Sequence, residues 1–131
     1  MRTADIVQAF IEKINRHDVD GLNLMMTDDH VFVDSLGTTV HGRDAMRQAW
    51  VGYFYLIPDY AIVVDEVFIR NDAAAIFGTA RGTYAARGEL LPENAWSMPI
   101  AVHGTVRDGR IARWQVFADN EPVRQLMKRG E

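Results

Sequence analysis

The chain contains no cysteine, which excludes disulfides, thiolate nucleophiles and zinc–thiolate sites at once. It also lacks any run of Lys or Arg. Fourteen basic residues stand against 18 acidic ones, for a net charge of −4, so there is no electrostatic footprint for nucleic acid or for anionic lipid. No apolar run approaches the roughly 18 residues of a membrane span. The opening MRTADIVQAF reads as an amphipathic helix instead of a signal sequence. The expectation is therefore a cytoplasmic protein with neither a nucleic-acid nor a membrane partner. No linker, internal repeat or low-complexity stretch interrupts the chain, and residues 1–131 read as one domain. What is abundant is apolar: 48% hydrophobic against 24% charged residues, the ordinary balance of a protein that buries a core.

Periodicity divides the chain into a helical half and a strand-rich half. Ile6, Val7, Phe10, Ile11 and Ile14 recur at helical spacing through about His17, with Thr3 placed to cap them. Asp18 can cap a second short helix carrying Val19, Leu22, Met25 and Met26, which Thr27-Asp28-Asp29 ends. HVFVDSLG (30–37) follows as a short strand that stops at Asp34, and Gly37-Thr38-Thr39 reads as a turn. From Gly42 a third helix places Met46, Ala49, Trp50, Tyr53, Phe54 and Ile57 on one side before Pro58 stops it. Then the period drops to two: 60–69, 72–84, 96–106 and 110–119 read as sequential antiparallel strands, the last pair joined by Asp108-Gly109, a strong hairpin signal. Glu121-Pro122 opens a short terminal helix with Val123, Leu126 and Met127. Helices first and a meander afterwards describe an α+β domain: a cone-shaped fold with N-terminal helices packed on one face of a curved, mainly antiparallel β-sheet.

Two carboxylates stand out against this pattern. Strand alternation puts Asp34 on the same face as Phe32, so the acid points where a core is expected. A carboxylate there is costly unless hydrogen-bonded or used to handle protons. The structural alternative is a turn-forming Asp that accepts N–H bonds from residues 35–37. Asp119 ends the last strand just before the terminal helix, where it can serve either chemistry or helix capping. His30, Asp34 and His41 match no ligand spacing, and no metal is expected.

Several phrases taken in order are more specific than any one of them: INRHDVDGLNLMMTDD (14–29), VFVDSLG (31–37), HGRDAMRQAW (41–50), GTARGTY (78–84), DGRIARWQVFAD (108–119) and VRQLM (123–127). In this order and at these intervals the chain resembles the nuclear transport factor 2-like superfamily along its whole length, in particular the SnoaL-like polyketide cyclase and ketosteroid isomerase-like branch. The resemblance implies that Asp34 matches the general base of ketosteroid isomerases. It also implies that Phe10 and Val102 replace the two groups which, in those enzymes, donate hydrogen bonds to the enolate. Asp119 matches the place where epoxide hydrolases and SnoaL-like cyclases keep a functional aspartate. In the epoxide hydrolase pattern, Phe32 takes a tyrosine's place and Arg81 lies in the strand that carries an arginine.

The aromatic residues complete the reading. A curved sheet closed by helices leaves a cone, and Phe32, Trp50, Tyr53, Arg81, Tyr84 and Phe117, with Phe10 and Val102, are the candidate ligand contacts. Ala85 to Asn94 is the candidate rim or lid. On the last strand Arg113, Gln115, Phe117 and Asp119 share one face while Trp114, Val116 and their neighbours Ala112 and Ala118 share the other, which is too apolar for solvent and is the expected homodimer face. His103 is expected on the sheet face opposite Val102. The function this implies is cofactor-free acid/base chemistry (isomerisation, aldol cyclisation or hydrolysis) on a small apolar carbonyl or epoxide compound, with Asp34 and Asp119 as the catalytic residues. The alternative is a non-catalytic binding or assembly module on the same fold.

Overall fold

Each element of the chain exists because one of its faces is apolar. In the computed structural model, which describes residues 2–129, helix α1 (Thr3–Asn15) buries Ile6, Val7, Phe10, Ile11 and Ile14. His17, with φ of 55°, turns the chain away. Asp18 then caps α2 (Val19–Met25), its carboxylate accepting the Gly21 N–H at 2.9 Å. Strand β1 (Met26–Val33) begins four residues sooner than the expected start at His30. Asp28 and Asp29 fit inside it because their side chains are exposed, Asp28 pairing with Arg43 at 3.0 Å and Asp29 with Arg107. The expected turn at 37–39 instead leads into a short edge strand, β2 (Thr39–His41), paired antiparallel to β1. Three residues are too few to show a period, so this strand leaves no sequence signature.

Helix α3 (Arg43–Leu56) buries Met46, Trp50 and Phe54 at four-residue spacing. Strands β3 (Ala61–Arg70), β4 (Ala73–Thr83), β5 (Ala95–Arg107) and β6 (Arg110–Phe117) follow as an antiparallel meander. Asp108 and Gly109, at φ of 54° and 75°, make the β5–β6 hairpin turn. Helix α4 (Glu121–Arg129) closes the described chain. The sheet order is β2-β1-β6-β5-β4-β3, with β1 and β6 as the parallel pair. Extra residues at Asp65 of β3 and at Ala112 of β6 shift the register and bend these strands.

Alternation sets an inner and an outer face. Ala74, Ile76 and Ala80 of β4, Trp96, Met98, Ile100 and Val102 of β5, and Ile111 and Trp114 of β6 point inward and form one core with the helices. Trp114 is 1% exposed within a single chain. The Trp114 and Val116 face is thus covered by the chain's own helices, and it is not the partner face expected from its apolar character. Alternation separates two faces without saying which one the helices cover. The outward set on these strands includes Phe77, Ala101 and Phe117, which lie in register across β4, β5 and β6. His103, paired with Ala75 and Gln115, is on this outer side as expected. Among the described residues no helix is long and apolar enough to cross a membrane.

His30 is the one buried histidine, 1% exposed. Its Nδ1–H donates to the Ile111 carbonyl at 2.8 Å, while Nε2 has no partner among the described residues. Burial pushes its pKa below the ordinary 6.5. Above 6.5 neither state holds the proton, and pH has no leverage through this group. As pH falls below that value the unfolded chain protonates first, so the folded state loses stability, at up to about 1.4 kcal/mol per pH unit. Thermal melts between pH 7.5 and 4.5 should show this loss, and His30→Gln should flatten it. An unchanged slope in the variant would assign the effect to other groups.

Candidate active site

The helices do not fill the sheet's concave side. A cavity of about 370 Å³ remains between α3, α4 and the inner face, of the size that holds a small organic ligand. Its floor comes from alternate strand residues: Phe32 of β1, Trp114 and Val116 of β6, Trp96, Met98 and Ile100 of β5, Ala80 of β4 and Ile62 of β3. Met46, Ala49, Trp50 and Tyr53 of α3 form one wall, with Tyr60 at its far end. Asn120 with Val123, Arg124 and Met127 of α4 forms the other, and Asp34, Ser35 and Val40 complete the rim.

The first turn after β1 positions Asp34. Its Oδ1 accepts the N–H groups of Leu36 and Thr38, both at 2.9 Å, and its own N–H donates to the Thr38 carbonyl. The turn-forming and cavity-facing readings of Asp34 are therefore both correct. One oxygen builds the turn, and Oδ2 has no hydrogen-bond partner among the described residues, on a side chain that lines the cavity. Arg124 lies on the same wall, its guanidinium held by Glu121 at 2.5 Å and by Asn120.

A ladder of rings runs from this rim inward. Phe32 and Trp50 are 6.3 Å apart, Trp50 and Phe54 5.3 Å, Tyr53 and Tyr60 4.9 Å, and Tyr60 and Trp96 6.1 Å. Burial pushes the pKa of both phenols, Tyr53 and Tyr60, well above the ordinary 10, so both keep their protons. The indole N–H groups of Trp50 and Trp96 are buried without a partner among the described residues. Trp96 reaches its place because Gly82 beneath it has no side chain: a Cβ there would stand 2.3 Å from Ile57 Cγ2 and 3.2 Å from the Trp96 ring. No three His, Asp or Glu side chains among the described residues converge on a point that could hold a metal.

Of the expected site residues, Asp34, Phe32, Trp50 and Tyr53 meet in this cavity, and the others stand elsewhere. Phe10 and Val102 are 0% and 2% exposed and pack in the core, Phe10 with its ring 4.8 Å from Trp114. Neither lines the cavity. Arg81 pairs with Ala61 and Ser97, and alternation turns it outward from Ala80 and Gly82, into a shallow groove with Asp59 and Thr83. Tyr84 is half-buried beside the same edge, its N–H donating to Asn94, and Phe117 is on the outer face, 51% exposed. Asp119 is exposed and its Oδ1 accepts the Glu121 N–H at 3.1 Å, the capping alternative, so it does not converge with Asp34. The loop from Ala85 to Asn94 contributes no residue to the cavity wall and is not its rim.

A profile of the SnoaL-like domain matches residues 7–114. The chain belongs to the SnoaL-like family. Solved structures agree on the fold. IdmH, a candidate polyketide cyclase from Streptomyces antibioticus, is 22% identical with a TM-score of 0.79 over 98% of this chain and 99% of that one. A candidate SnoaL-like polyketide cyclase from Shewanella denitrificans OS-217 is 12% identical with a TM-score of 0.83 over 97% of each chain. A protein with a ketosteroid isomerase-like fold from Catenulispora acidiphila DSM 44928, solved with trimethylamine, is 18% identical with a TM-score of 0.77 over 90% and 88%. No curated protein matches at the sequence level.

Sequence reasoning missed Tyr60, Asn120, Arg124 and Met127 as cavity residues of this SnoaL-like chain. The spacing of Val123 and Met127 signals an apolar face on α4, but nothing local says what that face covers. Replacing Asp34 by Ala removes the acceptor of two backbone N–H groups and should cost about 1–2 kcal/mol. Asp34→Asn keeps an acceptor oxygen and should cost less than half as much. Urea denaturation of both variants measures the difference, and equal costs would remove the turn from the role of Asp34.

Proposed function

We propose that this SnoaL-like protein carries out cofactor-free acid/base chemistry on a small apolar carbonyl compound, with Asp34 as its single general base. The observation that carries this reading is an unpaired carboxylate oxygen at the rim of a largely apolar chamber. Aliphatic and aromatic walls strengthen charge interactions at that oxygen and exclude competing water. A flat ligand between the Trp50 wall and the sheet would present an enolisable carbon to Oδ2. Oδ2 takes the proton from that carbon, and the electron pair moves onto the adjacent carbonyl oxygen as an enolate. Returning the proton to a different carbon completes an isomerisation. Attack of the enolate on a second carbonyl, with the proton delivered to the new alkoxide, completes an aldol closure. Hydrolysis has less support, because Asp119 lies outside the cavity and Arg81 faces outward.

The test is carbon-bound hydrogen exchange, which needs no knowledge of the natural substrate. In deuterium oxide the wild-type protein should accelerate exchange at C1 of 2-tetralone, followed by proton NMR. Asp34→Asn should lower that rate by about 10²–10⁴-fold, with an unchanged circular dichroism spectrum. If the wild type binds the ketone yet leaves exchange at the buffer rate, the second reading replaces this one. That reading is a binding module, and it draws on the tie between Asp34 Oδ1 and the turn.

We infer further that two copies pair through the outer sheet face. Phe68, Phe77 and Phe117 there are 55%, 45% and 51% exposed. Ala101 lies between Phe77 and Phe117 across three strands, giving an apolar band without a charge at its centre, suited to its own copy about a two-fold axis. Sedimentation equilibrium should return a dimer mass for the wild type and a monomer for a Phe77→Asp, Phe117→Asp variant. A monomeric wild type would end this inference.

A further inference from the structure

The polar groups of the cavity separate into two ends. Asp34, Ser35, Asn120 and Arg124 lie at the rim near β1 and α4, whereas Tyr60 immediately precedes β3, with its ring 4.9 Å from Tyr53 and 6.1 Å from Trp96 of β5. Asp34 follows β1 and Tyr60 precedes β3, and four inter-strand steps separate those strands, about 19 Å along the sheet surface at ~4.8 Å per step. Around the two tyrosines the wall is Ile62, Ala80, Met98 and Trp96, none of which offers a side-chain oxygen to accept a hydrogen bond.

Neither tyrosine hydroxyl bonds to a protein group among the described residues, and neither is sealed off as the two indole N–H groups are. Burial keeps both phenols protonated. Two protonated donors in an apolar recess cost stability unless an oxygen accepts from them. The recess is also held in place from outside. The Asp59 carboxylate accepts the Thr83 N–H and hydroxyl, both at 2.7 Å. His17 Nε2–H donates to the Tyr60 carbonyl at 2.8 Å, and the Tyr60 N–H donates to the Ile57 carbonyl at 3.1 Å. Tyr60 therefore has its backbone fixed before any ligand arrives, which lowers the entropic cost of using its hydroxyl.

We propose that Tyr53 and Tyr60 form a two-donor subsite that holds a carbonyl or quinone oxygen at the end of the ligand remote from Asp34. This rests on the cavity being a ligand site. It adds that the ligand is elongated, with an oxygen acceptor on a ring other than the one Asp34 deprotonates. The two tyrosines are positioning residues: they select and orient, and the proton transfer belongs to the other end.

A matched pair of probes tests the subsite. Menadione (2-methyl-1,4-naphthoquinone) and 2-methylnaphthalene share a shape and differ in two carbonyl acceptors, and the chain has no cysteine for the quinone to alkylate. All three tryptophans line the cavity, so fluorescence quenching, checked by calorimetry, reports binding directly. The wild type should bind the quinone about tenfold or more tightly than the hydrocarbon. Tyr53→Phe and Tyr60→Phe should each weaken the quinone about three- to tenfold and leave the hydrocarbon unchanged. The double variant should bind both probes alike, while Asp34→Asn keeps the preference. Equal binding of the probes by the wild type, or an undiminished preference in the double variant, overturns the subsite while leaving the Asp34 exchange experiment to stand alone. Binding of neither probe overturns the subsite and the ligand-cavity reading together.

Discussion

Trp50 is the contact on which the architecture of this chain depends. Its ring meets Phe10 of α1 at 6.5 Å, Phe32 of β1 at 6.3 Å and Phe54 of its own helix at 5.3 Å. One side chain thus ties the first helix, the third helix and strand β1 of the sheet together, and it also lines the cavity. Large rings at this junction hold α3 off the sheet, while β4 opposite presents Ala80 to the cavity, between Gly78 and Gly82 on its inner face. Bulk at the junction and small residues on the floor leave a space that packing does not close. The core on one side of Trp50 and the chamber on the other follow from the same residue.

The chamber's chemistry follows from how its polar groups are held. Asp34 spends one oxygen on turn amides, which fixes the carboxylate, and keeps the other free. A side chain so anchored needs no reorganisation to act, the condition under which a single carboxylate in an apolar site is effective. At the opposite end the phenols of Tyr53 and Tyr60 are oriented by packing and, for Tyr60, by its fixed backbone. Between them the wall is hydrocarbon and ring. The proposed ligand would therefore be selected by where its oxygens fall along the chamber, more than by how many it has.

The resemblance to ketosteroid isomerases points to one residue that lines the cavity, Asp34, and to two that do not, Phe10 and Val102. Phe10 and Val102 mark where donors would stand in those enzymes, and their apolar character suggests a site without such donors. Here both are sealed in the core. The two phenols that line the cavity come from the end of α3 and the residue preceding β3, at positions a motif comparison does not inspect. Asp119 differs from Asp34 in its surroundings. Its place at a strand end before a helix fits both a functional acid and a cap, and in the structure its Oδ1 accepts the Glu121 N–H while its side chain does not line the cavity.

By itself the sequence determined the element types and most of their limits, because periods of 3.6 and 2 are local properties of side-chain order. It determined the Asp108-Gly109 hairpin, because positive φ at two successive residues is a local demand. It also placed Asp34 on the face of Phe32. Only the tertiary structure decided which face of β6 the helices cover, which aromatic rings border empty space and which are packed solid, and that Tyr60 and Arg124 belong to the wall. Those outcomes depend on strand pairings and helix contacts between residues far apart in the chain. Alternation gives two faces and no sign; the pairing of β1 with β6, 80 or so positions away, supplies the sign.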